Sequence, residues 1–299
     1  MPTIILRRSQ QFSLDITLSC GQVFRWEHLA GGCWRSIVGN RVIRIRQEGT
    51  RLDYSGVGRR FLEQYFSLDQ DLPAITTSFD RDLFTHAAIA RCLGLRIIRQ
   101  PPWECLISYI CATNSNIPMI KKRINHLART FGKPVESCGE TLFGFPEPEA
   151  LATSCAKALS QCKMGYRGRY VKKTAQSIAD PEEWGGQIGN LAYEPARKEL
   201  MRLSGVGPKA ADCILLFAFQ KYEAFPVDVW IRRIMRDHYL PAQNREGSLT
   251  TSEYDRIRTF ARNYFGEFCG YAQEYLFASR EGDPVAGAAV RRRRPGTTA

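Results

Sequence analysis

One segment, LMRLSGVGPKAADCILLFAF at residues 200–219, constrains the fold of this 299-residue chain most strongly. An apolar helical stretch runs into Ser-Gly-Val-Gly-Pro, and a second apolar helix opens at Lys209. The two glycines, Gly205 and Gly207, permit positive φ angles and therefore a tight reversal of the chain. The pattern predicts two helices joined by a short hairpin within residues 195–221.

The glycines of this hairpin also leave backbone N–H groups uncovered at the start of the second helix. A phosphate can approach such groups closely, because the N-terminus of a helix attracts anions. A hairpin of this kind grips a nucleic-acid backbone without reading its bases. The net charge of +12 agrees with a polyanionic partner, although it also serves solubility.

Lys209 lies in the first turn of the second helix, where the partial positive charge of the helix end disfavours an ammonium group. More of the neutral amine is then present, which is the form that attacks electrophilic carbon. A solvated lysine that only touches phosphate is the alternative interpretation. Cys213 follows four residues later on the same helix face, where a cysteine is more often a core residue.

Asp228 follows Lys209 by nineteen residues, in the segment FPVDVWIRRIMRDH at 225–238. Its position before an amphipathic run predicts a helix N-cap. A carboxylate fixed there can also stabilise a cationic sugar while a base departs, and the two roles are compatible.

The chain divides into a β-rich beginning and a helical remainder, which predicts an α+β fold. Short, partly alternating segments predict an antiparallel sheet with strands at 23–26, 33–39, 41–47 and 51–56. Helical periods predict helices at 103–114, 116–131, 148–162, 167–179, 195–203, 208–221, 228–239, 252–265 and 269–279, with loops at 132–148 and 181–190. We expect an antiparallel β domain at 1–75, helical domains at 76–280 and a disordered basic tail at 281–299.

Several classes of protein are excluded or disfavoured. No apolar run approaches the roughly 20 residues of a membrane span, and the N-terminus does not resemble a secretory signal. The ten cysteines contain no C-x-x-C pair, so zinc-finger spacing is absent. We therefore expect no membrane partner and a reducing intracellular compartment: cytoplasm and nucleoid in a bacterium, the nucleus in a eukaryote.

Further motifs lie in a consistent order around the hairpin: CGQVFRW at 20–26, ICATNSNI at 110–117, GYRGRYV at 165–171 and GYAQEYLF at 270–277. With the hairpin lysine and Pro-Val-Asp, they resemble the 8-oxoguanine DNA glycosylase/AP lyase family of the helix-hairpin-helix glycosylase superfamily. The resemblance spans about residues 14 to 280. It implies a TATA-binding-protein-like sheet domain, two helical domains with the active site between them, and a monomer that acts on damaged double-stranded DNA without a cofactor.

The resemblance also implies a role for individual residues. Lys209 would be the Schiff-base nucleophile and Asp228 the catalytic carboxylate. The flipped base would be bound by Gly21, Cys213, Gln273 and Phe277, with the Cys213 thiolate and the Lys209 ammonium forming a pair. DNA would contact Asn114, Tyr166, Arg167, Gly205 and Gly207. Backbone carbonyls of the hairpin would hold a monovalent cation, at Met201, Leu203 and Val206.

Two positions depart from the pattern of this family. Trp230 stands where many relatives have histidine, and Met119 stands where they have arginine. Two alternatives stay open at this stage. The chain could act on another lesion, such as an oxidised pyrimidine or an alkylated purine, or it could be a non-catalytic DNA-binding module that uses the hairpin only as a phosphate clamp.

Overall fold

The structure is a computed structural model that describes residues 1–7, 9–240 and 247–280. Its N-terminal part contains a five-stranded antiparallel sheet with strand order β1-β5-β4-β3-β2. The strands are β1 Thr3–Ile5, β2 Glu27–His28, β3 Cys33–Val38, β4 Arg41–Glu48 and β5 Arg51–Ser55. The predicted α+β class is confirmed. The tail at 281–299 lies outside the described residues, and the division near residue 75 stays a prediction.

The segment 23–26 is not a strand, contrary to expectation. The chain there runs between two cores: Val23 and Trp26 are buried beneath the sheet, whereas Phe24 packs into the helical core. Its path is fixed at Gln22, whose carbonyl accepts hydrogen bonds from the Gln100 amide and the Tyr109 hydroxyl. Because its apolar residues face two different cores, this segment has the same sequence pattern as a buried strand.

Helices make up most of the remaining chain. Before the central core lie α1 Leu14–Ser19, α2 Arg59–Tyr65, α3 Leu72–Phe79 and α4 Leu83–Arg91. There follow α5 Pro102–Ala112, α6 Ile117–Phe131, the strands β6 Pro134–Ser137 and β7 Glu140–Phe143, α7 Pro148–Ala152, α8 Ala156–Gln161 and α9 Arg167–Ser177. The last are α10 Pro181–Asn190, α11 Tyr193–Arg202, α12 Pro208–Phe219, α13 Val229–Ile234 with a π turn at Met235–Tyr239, α14 Thr251–Phe265 and α15 Cys269–Ser279.

Three predictions between residues 132 and 190 are wrong or incomplete. The expected loop at 181–190 is α10: Asp180 caps its first turn, and Trp184 packs edge-on against Phe219 of α12. That tertiary contact outweighs the low helix propensity of the three glycines in α10. The expected loop at 132–148 contains the β6–β7 hairpin, and the helix expected at 148–162 is interrupted between α7 and α8, where the Cys155 side chain caps a new helix.

Three helices, α5, α12 and α15, form the centre of the helical core. Most of their residues are buried, which matches their largely apolar sequences. The hairpin is formed as predicted, with residues 203–207 between α11 and α12. Within the described ranges, no helix is both long and apolar enough to cross a membrane.

Candidate active site

A cavity of about 110 Å³ opens where the central helices meet the turn after α1. It receives side chains from α5, α6, α12 and α15 and from the segment that precedes α13. Its lining comprises Gly21, Phe24, Tyr109, Ala112, Ser115, Ile117, Ile120, Lys209, Cys213, Phe217, Pro226, Asp228, Gln273, Glu274 and Phe277. All six residues that the sequence assigns to catalysis or to base binding therefore line one cavity.

Helical spacing explains how α12 contributes to this cavity. Lys209, Cys213 and Phe217 are separated by four residues each and so share one face of the helix. Lys209 lies in the first turn, after Gly207 at the N-cap and Pro208 at the first helical position. Its half-buried side chain places Nζ 5.6 Å from the centroid of the Tyr109 ring.

Asp228 can cap α13 and also face a substrate, because its two carboxylate oxygens have different surroundings. Oδ1 accepts hydrogen bonds from the amides of Trp230 and Ile231, at 2.9 and 2.8 Å, and so caps α13. Oδ2 forms no hydrogen bond within the described residues, while the side chain lines the cavity. The N-cap fixes the carboxylate, and one oxygen stays available for a substrate.

Gly21 and Phe277 lie next to each other in the cavity lining. Gly21 has φ +107°, and a Cβ built on it would lie 2.9 Å from Ile117 Cδ1 and 3.5 Å from Phe277 Cε1. The left-handed backbone conformation and the close approach of Ile117 favour glycine at this position of the CGQVFRW motif. The Arg280 guanidinium stacks on Phe277, with Cζ 3.6 Å from the ring centroid.

Cys213 and Gln273 form deeper parts of the wall. Burial raises the pKa of the Cys213 thiol to about 12, although Lys209 acts in the opposite direction. Burial therefore disfavours the expected thiolate–ammonium pair in the DNA-free protein, because a thiolate loses its solvation there. Gln273 is 4% exposed, and its Oε1 has no hydrogen-bond partner in the described chain.

Three residues expected to contact DNA form a cluster outside the cavity lining. Asn114, at φ +48°, donates through Nδ2 to the Tyr166 hydroxyl at 3.3 Å. Arg167 is buried, and its guanidinium donates to the carbonyls of Thr113 and Asn114 and lies 4.5 Å from the Tyr166 ring. Arg167 thus holds the Asn114 turn in place, whereas Tyr166 and Asn114 are exposed.

The two hairpin glycines differ in their surroundings. Gly205 has φ +86°, and a Cβ there would lie 2.7 Å from Tyr170 Cβ, so this glycine is required by packing. Gly207 is exposed and has no atom within 4 Å of such a Cβ, so its surface is open. The Leu203 carbonyl already accepts the Val206 amide at 3.2 Å. The cation at the carbonyls of Met201, Leu203 and Val206 stays a prediction.

The sequence reasoning missed several lining residues, above all Tyr109 and Glu274. Tyr109 lies within the apolar helix α5, where nothing local distinguishes it from a core aromatic. Glu274 carried a signal, because it is an acidic residue in the otherwise apolar and aromatic run of α15, next to Gln273. A carboxylate in such a buried run usually has a functional reason.

Comparison with known proteins agrees with this geometry. Residues 4–106 match the model of the 8-oxoguanine DNA glycosylase N-terminal domain, and residues 107–257 match that of the HhH-GPD superfamily of base excision DNA repair proteins. The chain belongs to the 8-oxoguanine DNA glycosylase family. It is thus an enzyme of the N-glycosylase/DNA lyase class, and the alternative of a non-catalytic DNA-binding module is excluded.

Individual members of the glycosylase family align over most of the chain. A probable N-glycosylase/DNA lyase of Methanothermobacter thermautotrophicus is 33% identical, over 89% of this chain and 92% of the relative. The N-glycosylase/DNA lyase of Saccharomyces cerevisiae is 30% identical, over 91% and 84%. The 8-oxoguanine glycosylase/lyase of Clostridium acetobutylicum, solved with DNA that carries cytosine opposite 8-oxoG, superposes with a TM-score of 0.83 at 34% identity, over 90% and 92%.

Proposed function

We propose that this glycosylase removes 8-oxoguanine from double-stranded DNA and then cuts the strand at the abasic site, with Lys209 as the nucleophile and Asp228 as the essential carboxylate. The observation that carries the proposal is the convergence of Lys209, Asp228 and all four base-binding candidates on one cavity. The substrate is chromosomal DNA, so we place the protein with it, in the cytoplasm and nucleoid or in the nucleus. We propose that it acts as a monomer.

Base release begins when duplex DNA bends and the damaged nucleotide turns out of the stack into the cavity, at an unstacking cost of about a few kcal/mol. Neutral Lys209 Nζ attacks C1′ of the sugar, and the bond to the base breaks with its electron pair. Positive charge develops on the sugar as the base departs. The free Oδ2 of Asp228 stabilises that charge, because the carboxylate is already oriented by its cap bonds.

Strand cleavage follows from the imine between Nζ and C1′. The imine nitrogen withdraws electrons, so the protons on C2′ become acidic. Loss of one of these protons expels the 3′ phosphate by β-elimination and nicks the strand 3′ to the lesion. Nζ supplies the electrophilic activation in this route, which needs no metal or organic cofactor.

Lesion reading rests on the Gly21 backbone and on Gln273. 8-Oxoguanine carries a hydrogen on N7 and guanine does not, so a carbonyl acceptor at Gly21 would be paired only by the lesion. A buried acceptor left unpaired costs about 1–3 kcal/mol. Gln273 has an unpartnered Oε1 that suits donors on the Watson–Crick edge of the base, with Phe277 and the neutral Cys213 against its faces.

The DNA strand is held around the cavity by neutral and basic groups. A phosphate of the DNA backbone can approach the open surface at Gly207. The tight turn at Gly205 exposes this surface. Tyr166 and Asn114 are exposed beside the cavity and suit the gap that the extruded base leaves, with Arg167 behind them. The backbone contacts of the hairpin do not distinguish one DNA sequence from another.

The proposal is tested with duplexes that each carry one defined lesion, by measuring base release and strand nicking separately. We expect release of 8-oxoguanine far faster than of guanine, and borohydride trapping of the protein on the same duplex. Lys209→Gln should abolish trapping and nicking while DNA binding persists. Preferred release of an oxidised pyrimidine or of an alkylated purine would overturn the assignment of the lesion, and trapping of the Lys209→Gln variant would overturn the mechanism.

A further inference from the structure

One carboxyl group in the cavity wall has no part in the mechanism above. Glu274 lies on α15 directly after Gln273 and is only 3% exposed, yet it lines the cavity. Its Oε1 has no hydrogen-bond partner among the described residues. A buried carboxyl oxygen without a partner is energetically costly, so its presence in the cavity wall calls for an explanation.

Several ionisable groups interact electrostatically with Glu274. They are Cys20 at the end of α1, Tyr109 on α5, Lys209 and Cys213 on α12, Asp228 before α13, and Arg280 after α15. The Cys20 thiol donates to the Thr17 carbonyl at 3.3 Å and is one of the groups that influence the pKa of Glu274. Burial raises the pKa of Glu274 to about 7, so this group both accepts and releases a proton near neutral pH.

A proton acceptor is needed in the cavity before Lys209 can act. The ammonium form of Lys209 has no lone pair, and a base that fills a cavity of about 110 Å³ displaces the water that would otherwise take the proton. Asp228 is unsuited to this task, because it must stay ionised to stabilise the sugar. The departing base, in turn, needs a proton donor.

We propose that Glu274 is the proton shuttle of this cavity, which takes a proton from Lys209 and returns it to the departing base. The proposal rests on the function proposed above. The Glu274 carboxyl group lines the same cavity as Lys209, Asp228 and the base-binding side chains, and its Oε1 is a buried carboxyl oxygen without a hydrogen-bond partner among the described residues. Enclosure by DNA favours the transfer, since it replaces two buried charges by two neutral groups.

The step balances in protons and electrons. Lys209 Nζ gives one proton to the Glu274 carboxylate, and its lone pair then forms the bond to C1′. The glycosidic bond breaks, its electron pair leaves with the base, and the base takes the proton from Glu274. Nζ now carries two hydrogens and a positive charge, and one of these protons passes to O4′ when the sugar ring opens to the imine.

The test compares Glu274→Gln with the wild-type protein in two single-turnover assays. Glutamine keeps the size of the side chain but exchanges no proton. We expect release of 8-oxoguanine to slow by about hundredfold or more. Borohydride trapping on a preformed abasic site should change little, because that substrate has no departing base and leaves water in the cavity. Glu267→Gln, on the turn before α15, is the matched control and should match the wild type in both assays.

The pH profile separates a shuttle from a merely structural role. Wild-type base release should rise as the pH passes through about 7, since Glu274 must be ionised to accept the proton. Glu274→Gln should lose this rise, and Glu274→Asp should keep it at a reduced rate. Equal slowing of base release and of abasic-site trapping, or a Glu274→Gln rate like that of the wild type, overturns the shuttle. If the wild type traps on abasic sites but releases no 8-oxoguanine, the proposed function fails and the shuttle fails with it.

Discussion

The hydroxyl of Tyr254 donates a 2.6 Å hydrogen bond to Oδ2 of Asp212, and both side chains are buried. The same hydroxyl oxygen accepts the backbone amide of Val227, the residue before Asp228. Asp212 belongs to α12 and follows Lys209 by three residues. This pair therefore connects the segment of Asp228, the proposed catalytic carboxylate, to the helix of Lys209, the proposed nucleophile.

Tyr254→Phe should weaken both the fold and the reaction. It leaves Asp212 Oδ2 without that donor and the Val227 amide without that acceptor, so we expect the free energy of unfolding to fall by about 1–3 kcal/mol. Base release by the folded protein should also slow, because Asp228 is held less accurately. Urea unfolding and single-turnover excision measure the two effects.

Tyr264→Phe is the matched control for this substitution. Its hydroxyl donates to the Asp82 carboxylate at 3.0 Å, away from the cavity. We expect some loss of stability and no loss of excision by the folded protein. Equal slowing of excision by the two variants would contradict a positioning role for Tyr254.

The parts of the site that the sequence predicts are those governed by local geometry. Spacing of four residues on α12 places Lys209 and Cys213 on one face, and the position of Asp228 before an amphipathic run makes it an N-cap. The resemblance to the glycosylase family supplied Gly21, Gln273 and Phe277; helical spacing places the last two on one face of α15, but no local rule brings Gly21 to them.

The remainder depends on contacts between distant segments or on burial. Tyr254 and Asp212 are 42 residues apart, and neither residue signals the other in sequence. The neutral state of Cys213 follows from complete burial, which spacing from Lys209 does not reveal. Helix α10 forms because Trp184 packs against Phe219 of α12, although the glycines of α10 have low helix propensity.

Gly21→Ala should block the cavity while the protein still binds DNA. The new Cβ would lie 2.9 Å from Ile117 Cδ1 at a positive φ, and such overpacking costs about 1–3 kcal/mol. Gly21 and Ile117 both line the cavity proposed to receive the base, so we expect excision to drop by about ten- to hundredfold under single-turnover conditions. Gly139→Ala is the control, because Gly139 has φ +77° but open space around it. Wild-type excision by Gly21→Ala would refute the close fit.

Gly207→Ala should weaken binding to undamaged duplex with little effect on stability. Its Cβ would meet no protein atom within 4 Å, so we expect an unfolding change below about 1 kcal/mol for this N-cap position. The methyl group would occupy the surface that a phosphate approaches. Wild-type affinity should itself fall steeply as salt rises. A flat salt dependence, or undiminished affinity of Gly207→Ala, would mean that the hairpin does not bind the backbone of DNA.

The stability of the protein should depend on the protonation of Glu274. Its folded pKa of about 7 exceeds the usual value of 4.5, so the folded state binds the proton more tightly. The associated stabilisation is complete below about pH 4.5 and is lost as the pH rises through 7, by about 3 kcal/mol at most. Burial also raises the pKa of Asp212 and Glu104, which therefore add their own pH dependence. The difference in the free energy of unfolding between wild type and Glu274→Gln isolates the contribution of Glu274. If the stabilities of the wild type and of Glu274→Gln changed equally with pH, Glu274 would not be buried in its protonated form.

The base opposite the lesion should be read less strictly here than in relatives with arginine at position 119. Met119 is half-buried in the first turn of α6, where its amide donates to Asn116 Oδ1, and its neighbours Ile117 and Ile120 line the cavity. Methionine has no hydrogen-bond donor in its side chain, whereas arginine can donate to the acceptors of an orphaned cytosine.

Each good hydrogen-bonded contact to a base contributes roughly 1–3 kcal/mol of discrimination, so Met119 should narrow the preference for cytosine by about tenfold or more. Asn114 and Arg167 remain beside the cavity and keep part of the bias. The measurement is excision from four duplexes that differ only in the opposing base, repeated with Met119→Arg. Met119→Leu is the control, because it restores no donor. Strict cytosine selectivity in the wild type, or an arginine variant that gains none, would show that this position does not read the opposing base.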